Sequence, residues 1–205
     1  MTNTRTKRGS TRTNMLIGAA EVLRERGAAG VTIDEVLQRS GAPRGSVYYH
    51  FPDGRNQIVF EALQFAGDSI TELIDEAATK GGLHLVQRFV EFWDRILADS
   101  DFTAGCPVVA AAIGSAEEGP QLTSVAGAIF GHWRDALTRA FEVDGCEEGE
   151  AASLAIMCVA ALEGAVVLCR ATRDLDPLRQ VHTQLEFLLK SREFIRRNGI
   201  PTANS

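Results

Sequence analysis

This 205-residue chain is short of several things, and each shortage narrows what it can be. It has only 6 prolines and 19 glycines, too few for a fibrous or low-complexity protein. No stretch alternates apolar and polar residues long enough to demand a β-strand. There is no His-Glu-x-x-His, no Gly-x-Ser-x-Gly elbow and no Gly-rich phosphate motif, and His50, His84, His132 and His182 are scattered. The expectation is therefore a non-enzyme without cofactor or metal. The four cysteines, Cys106, Cys146, Cys158 and Cys169, include no CxxC pair. Cys158 and Cys169 share a helix face but lie about three turns apart, too far to bind one metal. All four read as reduced, buried small hydrophobes. A charged, apolar, cleavable leader is also missing: residues 1–14 are basic and polar, and the expected location is the cytoplasm.

What the chain does have is enough apolar material for a core, 45% hydrophobic against 23% charged, and an uneven charge. Residues 1–60 carry nine Lys/Arg and five Asp/Glu, whereas residues 61–205 carry twelve and twenty-two. A basic head on an acidic body fits a protein whose head alone meets a polyanion. One long apolar run, Ala151 to Cys169, holds a single charge, Glu163. Its length reaches that of a membrane span, but a Glu near the centre would cost roughly 2.5–3.5 kcal/mol in lipid. A helix buried between other helices is the expected reading, with no membrane partner.

Periodicity is helical almost throughout. Leu16, Ala19, Ala20 and Leu23 mark a first helix ending near Gly27. Thr32-Ile33-Asp34-Glu35 has the capping-box pattern, Thr32 taking a backbone N–H and Glu35 reaching back. It opens a short helix to Ser40. Gly41-Ala42-Pro43 breaks the chain, and a third short helix runs from about Pro43 to His50. Longer helices follow at about Arg55–Thr79, Leu83–Asp99, Gln121–Phe141, Glu148–Thr172 and Pro177–Arg196, with a short one after Pro107. Residues 1–10 and 199–205 read as unstructured. The expected fold is all-α: an N-terminal tail and three-helix helix-turn-helix head over 1–54, joined to a helical bundle over 55–205.

Within the head, two short helices flank a tight turn holding Gly41. The second has Val47 and Phe51 at i,i+4, able to pin it to the preceding helices. A recognition helix enters the major groove by its N-terminal residues. Arg44 stands there and can fork onto guanine O6/N7 or a phosphate. Gly45 lets the backbone approach closely. Ser46, Tyr48, Tyr49 and His50 can donate to phosphate oxygens, although one of the two adjacent tyrosines is expected to pack inward. Arg5, Lys7, Arg8 and Arg12 can add sequence-independent affinity.

The string Gly41-Ala42-Pro43-Arg44-Gly45-Ser46-Val47-Tyr48-Tyr49-His50-Phe51-Pro52 closely resembles the second half of the TetR/AcrR-type helix-turn-helix. Thr32-Ile33-Asp34-Glu35-Val36 resembles its first half. The Ala-Pro-Arg-Gly-Ser run, the extra Gly54 and Phe102-Thr103-Ala104-Gly105-Cys106-Pro107 resemble the LmrA/YxaF-like subgroup. The family usually has Ser or Thr where Pro43 stands, and a proline offers no capping hydroxyl. The resemblance implies a dimer that binds a palindromic double-stranded DNA operator, and a body that releases it on binding a small organic effector. Carried over by position, DNA contacts fall on Thr32, Arg44, Gly45, Ser46, Tyr48, Tyr49, His50 and Arg55.

In the body, Phe89, Trp93, Phe130, Trp133 and Met157 are candidate ligand-wall residues, and at helical spacing each reads equally as core. Glu163, in an apolar helix, needs a partner: a ligand, a neighbouring helix end, or an Arg across a dimer. Small residues near 151–165 let helices approach closely, so the helices near 148–172 and 177–196 are the expected homodimer interface. The leading expectation is a ligand-responsive DNA-binding regulator acting as a repressor. The alternatives are a small-molecule-binding or enzymatic helical protein with a non-functional head, and a constitutive DNA binder whose body only dimerises.

Overall fold

Gly27 sets the first corner of the fold. It takes φ 71° and ψ −176° inside α1 (Arg5–Gly30), kinking the helix, a conformation that a side chain would resist. The structure, a computed structural model, describes residues 5–114 and 120–199, with side chains from 11 to 114 and from 121 to 199. The helix begins at Arg5, earlier than expected, because no proline interrupts residues 5–14 and a helix extends readily from an established apolar stripe. The expected disorder of residues 1–4 and 200–205 falls outside the described residues.

The remaining elements are α2 (Ile33–Ser40), a 3-10 turn at Arg44–Ser46, α3 (Val47–His50), α4 (Arg55–Ala78), α5 (Gly82–Asp99), α6 (Pro107–Ala112), α7 (Pro120–Val143), α8 (Glu148–Thr172) and α9 (Asp176–Asn198). No strand occurs among the described residues. Packing divides the chain into two units. One takes Met1–Thr71 with Thr103–Gly131, the other Glu72–Phe102 with His132–Ser205. These are not the 1–54 and 55–205 segments of the sequence reading, because α4 and α7 each supply residues to both units.

In the first unit, Met15, Leu16, Ala19, Ala20, Val22 and Leu23 of α1 are buried, as are Val36 of α2 and Ile58, Val59, Ala62 and Leu63 of α4. Val47 and Phe51 are fully buried, so the i,i+4 pair does pin α3; a fully buried Phe contributes about 1.5–3 kcal/mol. The α6 helix packs on α1, and just before it the Gly105 N–H donates to the Arg24 carbonyl at 2.8 Å.

In the second unit, α5, α8 and α9 pack on one another. Trp93, Leu85, Leu97, Trp133, Phe141 and Leu162 are fully buried. The α5 N-terminus has no side-chain cap of its own; instead Asp144, 62 residues later, accepts the Gly82 N–H at 2.8 Å. By length and composition α8 could cross a membrane. One of its faces is buried through Leu154, Cys158, Leu162, Ala165 and Cys169, while Ile156, Met157, Val167 and Leu168 are exposed. So α8 is buried on one side only, rather than enclosed as the sequence suggested.

Candidate functional site

The helix-turn-helix is assembled from short-range contacts that the residue types dictate. Thr32 is extended, and its Oγ1 accepts the Glu35 N–H at 3.2 Å, capping α2. The return half of the capping box is replaced. The Glu35 carboxylate meets Arg39 Nε at 3.3 Å and Arg26 at 3.4 Å, since a charged partner holds a carboxylate better than a backbone amide does. Gly41 ends α2 in the left-handed region (φ 64°), its N–H donating to the Leu37 carbonyl at 3.0 Å. Pro43 is extended and offers no cap. The Ser46 hydroxyl donates to the Pro43 carbonyl at 2.6 Å, closing the 3-10 turn that leads into α3.

With Val47 and Phe51 turned inward, the other face of this segment is open. Arg44, Gly45, Tyr48 and Tyr49 are exposed, both tyrosines by nearly two thirds, and His50 is half-buried against Tyr49 in an edge contact at 5.0 Å. Both tyrosines face outward, correcting the expectation that one packs the domain: the segment is too short for a second inward position beside Val47 and Phe51. A Cβ on Gly45 would meet nothing within 4 Å. Arg44 is not idle: its Nη1 lies 2.8 Å from Asp34 Oδ1, and both side chains are largely exposed.

Arg55, carried over by position as a DNA contact, is anchored within the first unit. Its Nε donates to the Val31 carbonyl at 2.7 Å and its Nη2 to the Ala28 carbonyl at 2.5 Å. The Ala28 carbonyl also accepts the Val31 N–H at 3.1 Å, so Arg55 ties down the turn between α1 and α2. Arg12 pairs with Glu61 and lies over the Phe51 ring at 5.0 Å, so it too is engaged inside the head. The side chains of Arg5, Lys7 and Arg8 lie outside the described ones. Sequence reasoning missed Arg39, the centre of an ion-pair network: it grips both oxygens of Glu25 at 2.9 and 2.7 Å and also reaches Glu35 and Glu21. That grip holds the Glu25 carboxyl below its ordinary range.

In the body, Phe89, Trp93, Trp133 and Glu163 are buried, Phe130 is half-buried and Met157 is 39% exposed. Phe89 and Trp93 form one aromatic group at 6.1 Å, and Phe92 meets Trp93 edge-on at 5.2 Å. The Trp93 indole N–H is buried and has no hydrogen-bond partner among the described residues. A cleft of about 610 Å³ opens in the second unit, against α9 and the α7–α8 turn, and none of these six residues lines it. Three of the four cysteines are buried as expected; Cys146 is only half-buried, because it stands in the α7–α8 turn rather than on a helix face.

Residues 16–62 match the bacterial regulatory proteins of the tetR family. Residues 83–184 match the C-terminal domain of LmrA/YxaF-like transcriptional regulators. An uncharacterised HTH-type transcriptional regulator of Mycobacterium tuberculosis is 40% identical over 87% of this chain and 93% of its own. The chain belongs to the TetR family. YxaF of Bacillus subtilis, an uncharacterised HTH-type regulator, is 25% identical over 91% of the TetR-family chain and 99% of its own length. Among solved structures, regulatory protein TetR of Rhodobacter sphaeroides superposes with a TM-score of 0.78 at 18% identity, covering 86% of this chain and 97% of that one. A TetR regulator of Chloroflexus aurantiacus gives 0.75 at 24%, covering 90% and 96%. The fold is that of TetR regulators, an N-terminal helix-turn-helix with a C-terminal helical domain. The TetR match takes in the Thr32 cap, the Gly41 turn and the whole Arg44–Phe51 segment. The LmrA/YxaF-like match takes in Cys106-Pro107 and most of α5 to α9.

Proposed function

We propose that this TetR-family transcriptional regulator is a repressor released from a palindromic operator by a small organic molecule. The observation that carries the DNA half is the division of labour along Arg44–Phe51. Val47 and Phe51 are fully buried anchors, while Arg44, Gly45, Tyr48 and Tyr49 stand exposed on the other side. Arg44 is placed to read a base edge, and Ser46, Tyr48, Tyr49 and His50 to hold phosphates. Thr32 is placed at the start of α2, where a phosphate can meet backbone N–H groups. Residues 1–54 are the DNA-reading part and residues 55–205 the effector and dimer part. Such a protein works in the cytoplasm and needs no catalytic group.

The ligand half rests on Trp93, a buried donor without an acceptor among the described residues, on a helix that packs against the one carrying the buried Glu163. An effector with a hydrogen-bond acceptor and an apolar body suits that donor. The dimer rests on the exposed Ile156, Met157, Val167 and Leu168 of α8 and Phe187 and Phe194 of α9, surface that a second copy would remove from water. Ligand then favours a dimer whose recognition helices no longer match successive major grooves, about 34–36 Å apart.

The test is binding to a labelled fragment of DNA from upstream of the protein's own gene, at two salt concentrations, with excess unrelated competitor. Competitor-resistant binding that weakens with salt is expected. Arg44→Ala should weaken specific binding by about 1–3 kcal/mol; unchanged affinity would remove Arg44 from the reading surface.

A further inference from the structure

The last turns of α9 depart from the rest of that helix. Leu178 and Leu185 are buried, seven residues apart. The same spacing next brings Arg192 onto that face, with Leu189 and Arg196 beside it. Here the buried stripe of α9 stops meeting packed side chains and becomes a wall of the cleft of about 610 Å³. Space of that size falls within the range of small-molecule sites, about 300–1,000 Å³. Phe187 and Phe194, the exposed aromatics of α9, lie on the opposite side of the helix by the same arithmetic.

The lining is amphipathic. Leu83, Phe141, Leu189 and Ile195 supply apolar wall. Three carboxylates and three cations line the cleft, and they are not paired one to one. Glu150 pairs with Arg192, Glu193 with Arg197 at 2.5 Å, and Asp144 accepts the Gly82 N–H. Lys80 and Arg196 line the cleft without an ion-pair partner among the described residues. Arg192 adds a buried Nε that has no acceptor there. The backbone also shapes the wall. Gly145 sits at φ +92°, and a Cβ on it would come within 3.1 Å of the Arg196 side chain, so the absence of a side chain lets Arg196 lie across the turn.

We propose that this cleft is a binding site for an organic acid with an apolar body, its carboxylate held by Lys80 and Arg196 and its chain laid against Phe141 and Leu189. The inference does not depend on the DNA reading, nor on an effector at Trp93. It places recognition of an anion at the α9 end of the second unit, where no candidate residue stood before.

Cys146 supplies a local reporter. It lines the cleft and is half-buried, whereas Cys106, Cys158 and Cys169 are buried, and burial pushes the Cys158 thiol up to about 12. The experiment titrates the full-length protein with decanoate by calorimetry and follows N-ethylmaleimide modification of Cys146 by mass spectrometry, with decanol as the uncharged control. Decanoate should bind and slow Cys146 modification, and decanol should do so at least about tenfold less effectively, as expected for loss of charge-assisted hydrogen bonds. The double variant Lys80→Gln/Arg196→Gln, both positions being exposed, should abolish the difference between acid and alcohol. No calorimetric binding would overturn the proposal. So would binding that leaves the Cys146 rate unchanged, since the acid would then sit elsewhere, or protection equal for acid and alcohol, since the cations would then play no part.

Discussion

Arginines in this head do three different jobs, and only their surroundings tell them apart. Arg44 reaches outward, Arg55 caps carbonyls, and Arg39 ties α2 to α1. The Arg39–Glu25 pair makes a testable contribution to stability. Glu25 is held below its ordinary value, first by its hydrogen bonds to Arg39, so the folded state binds its proton less readily than the unfolded chain does. That stability is complete above the ordinary carboxyl value and is lost as pH falls through the depressed folded value. Arg39→Met should therefore cost about 1 kcal/mol at neutral pH, in the range of a partly exposed ion pair, and should flatten the acid limb of a thermal-melt profile. With Arg44 reading DNA as proposed, its pair with Asp34 competes with DNA for the guanidinium. Asp34→Asn removes the competitor and a charge that phosphates repel. It should raise affinity for unrelated DNA more than affinity for the operator, checked by comparing salt slopes.

At the level of elements, α8 runs over the residues expected, because its own first turn carries Glu148 and Glu150 and its stop precedes Arg173 in the left-handed region. The α2 cap and the Gly41 turn were equally legible, since both are local. The cap of α5 was not. Its donor is Gly82 and its acceptor Asp144, and no local pattern links residues 62 apart. Arg55 escaped for the same reason: its partners at Ala28 and Val31 only become neighbours once α1 has kinked. The α5–α7 junction has little slack. A Cβ at Gly82 would come within 2.1 Å of the buried Phe141 ring. Gly82→Ala should destabilise by about 1–3 kcal/mol, as overpacking does, read as a lower urea midpoint with an unchanged slope.

For the whole molecule, the proposed dimer rests on the apolar outer faces of α8 and α9. An acidic residue in a surface that a second copy must cover is costly. Phe187→Glu, at a position already 69% exposed in the single chain, should leave helix content intact while shifting sedimentation from dimer to monomer. Operator affinity should fall with it, because one head reads only half a palindrome. Family and fold could be read from the sequence; the interior of the body could not. Aromatic residues at helical spacing serve core and ligand wall alike, and only burial separates Met157, on an open face, from Trp93, inside. The cleft at the end of α9 gave no sequence signal, since its walls come from three separate parts of the chain.

The burial of Val47 and Phe51 bears on how this protein can change over generations. The side chains that hold α3 in place are different from those it shows to its surroundings. Arg44, Tyr48 and Tyr49 can thus be exchanged at little cost to folding. With those residues reading DNA as proposed, a lineage carrying this head is free to drift to new DNA sequences by altering a few outward residues, with the scaffold inherited unchanged.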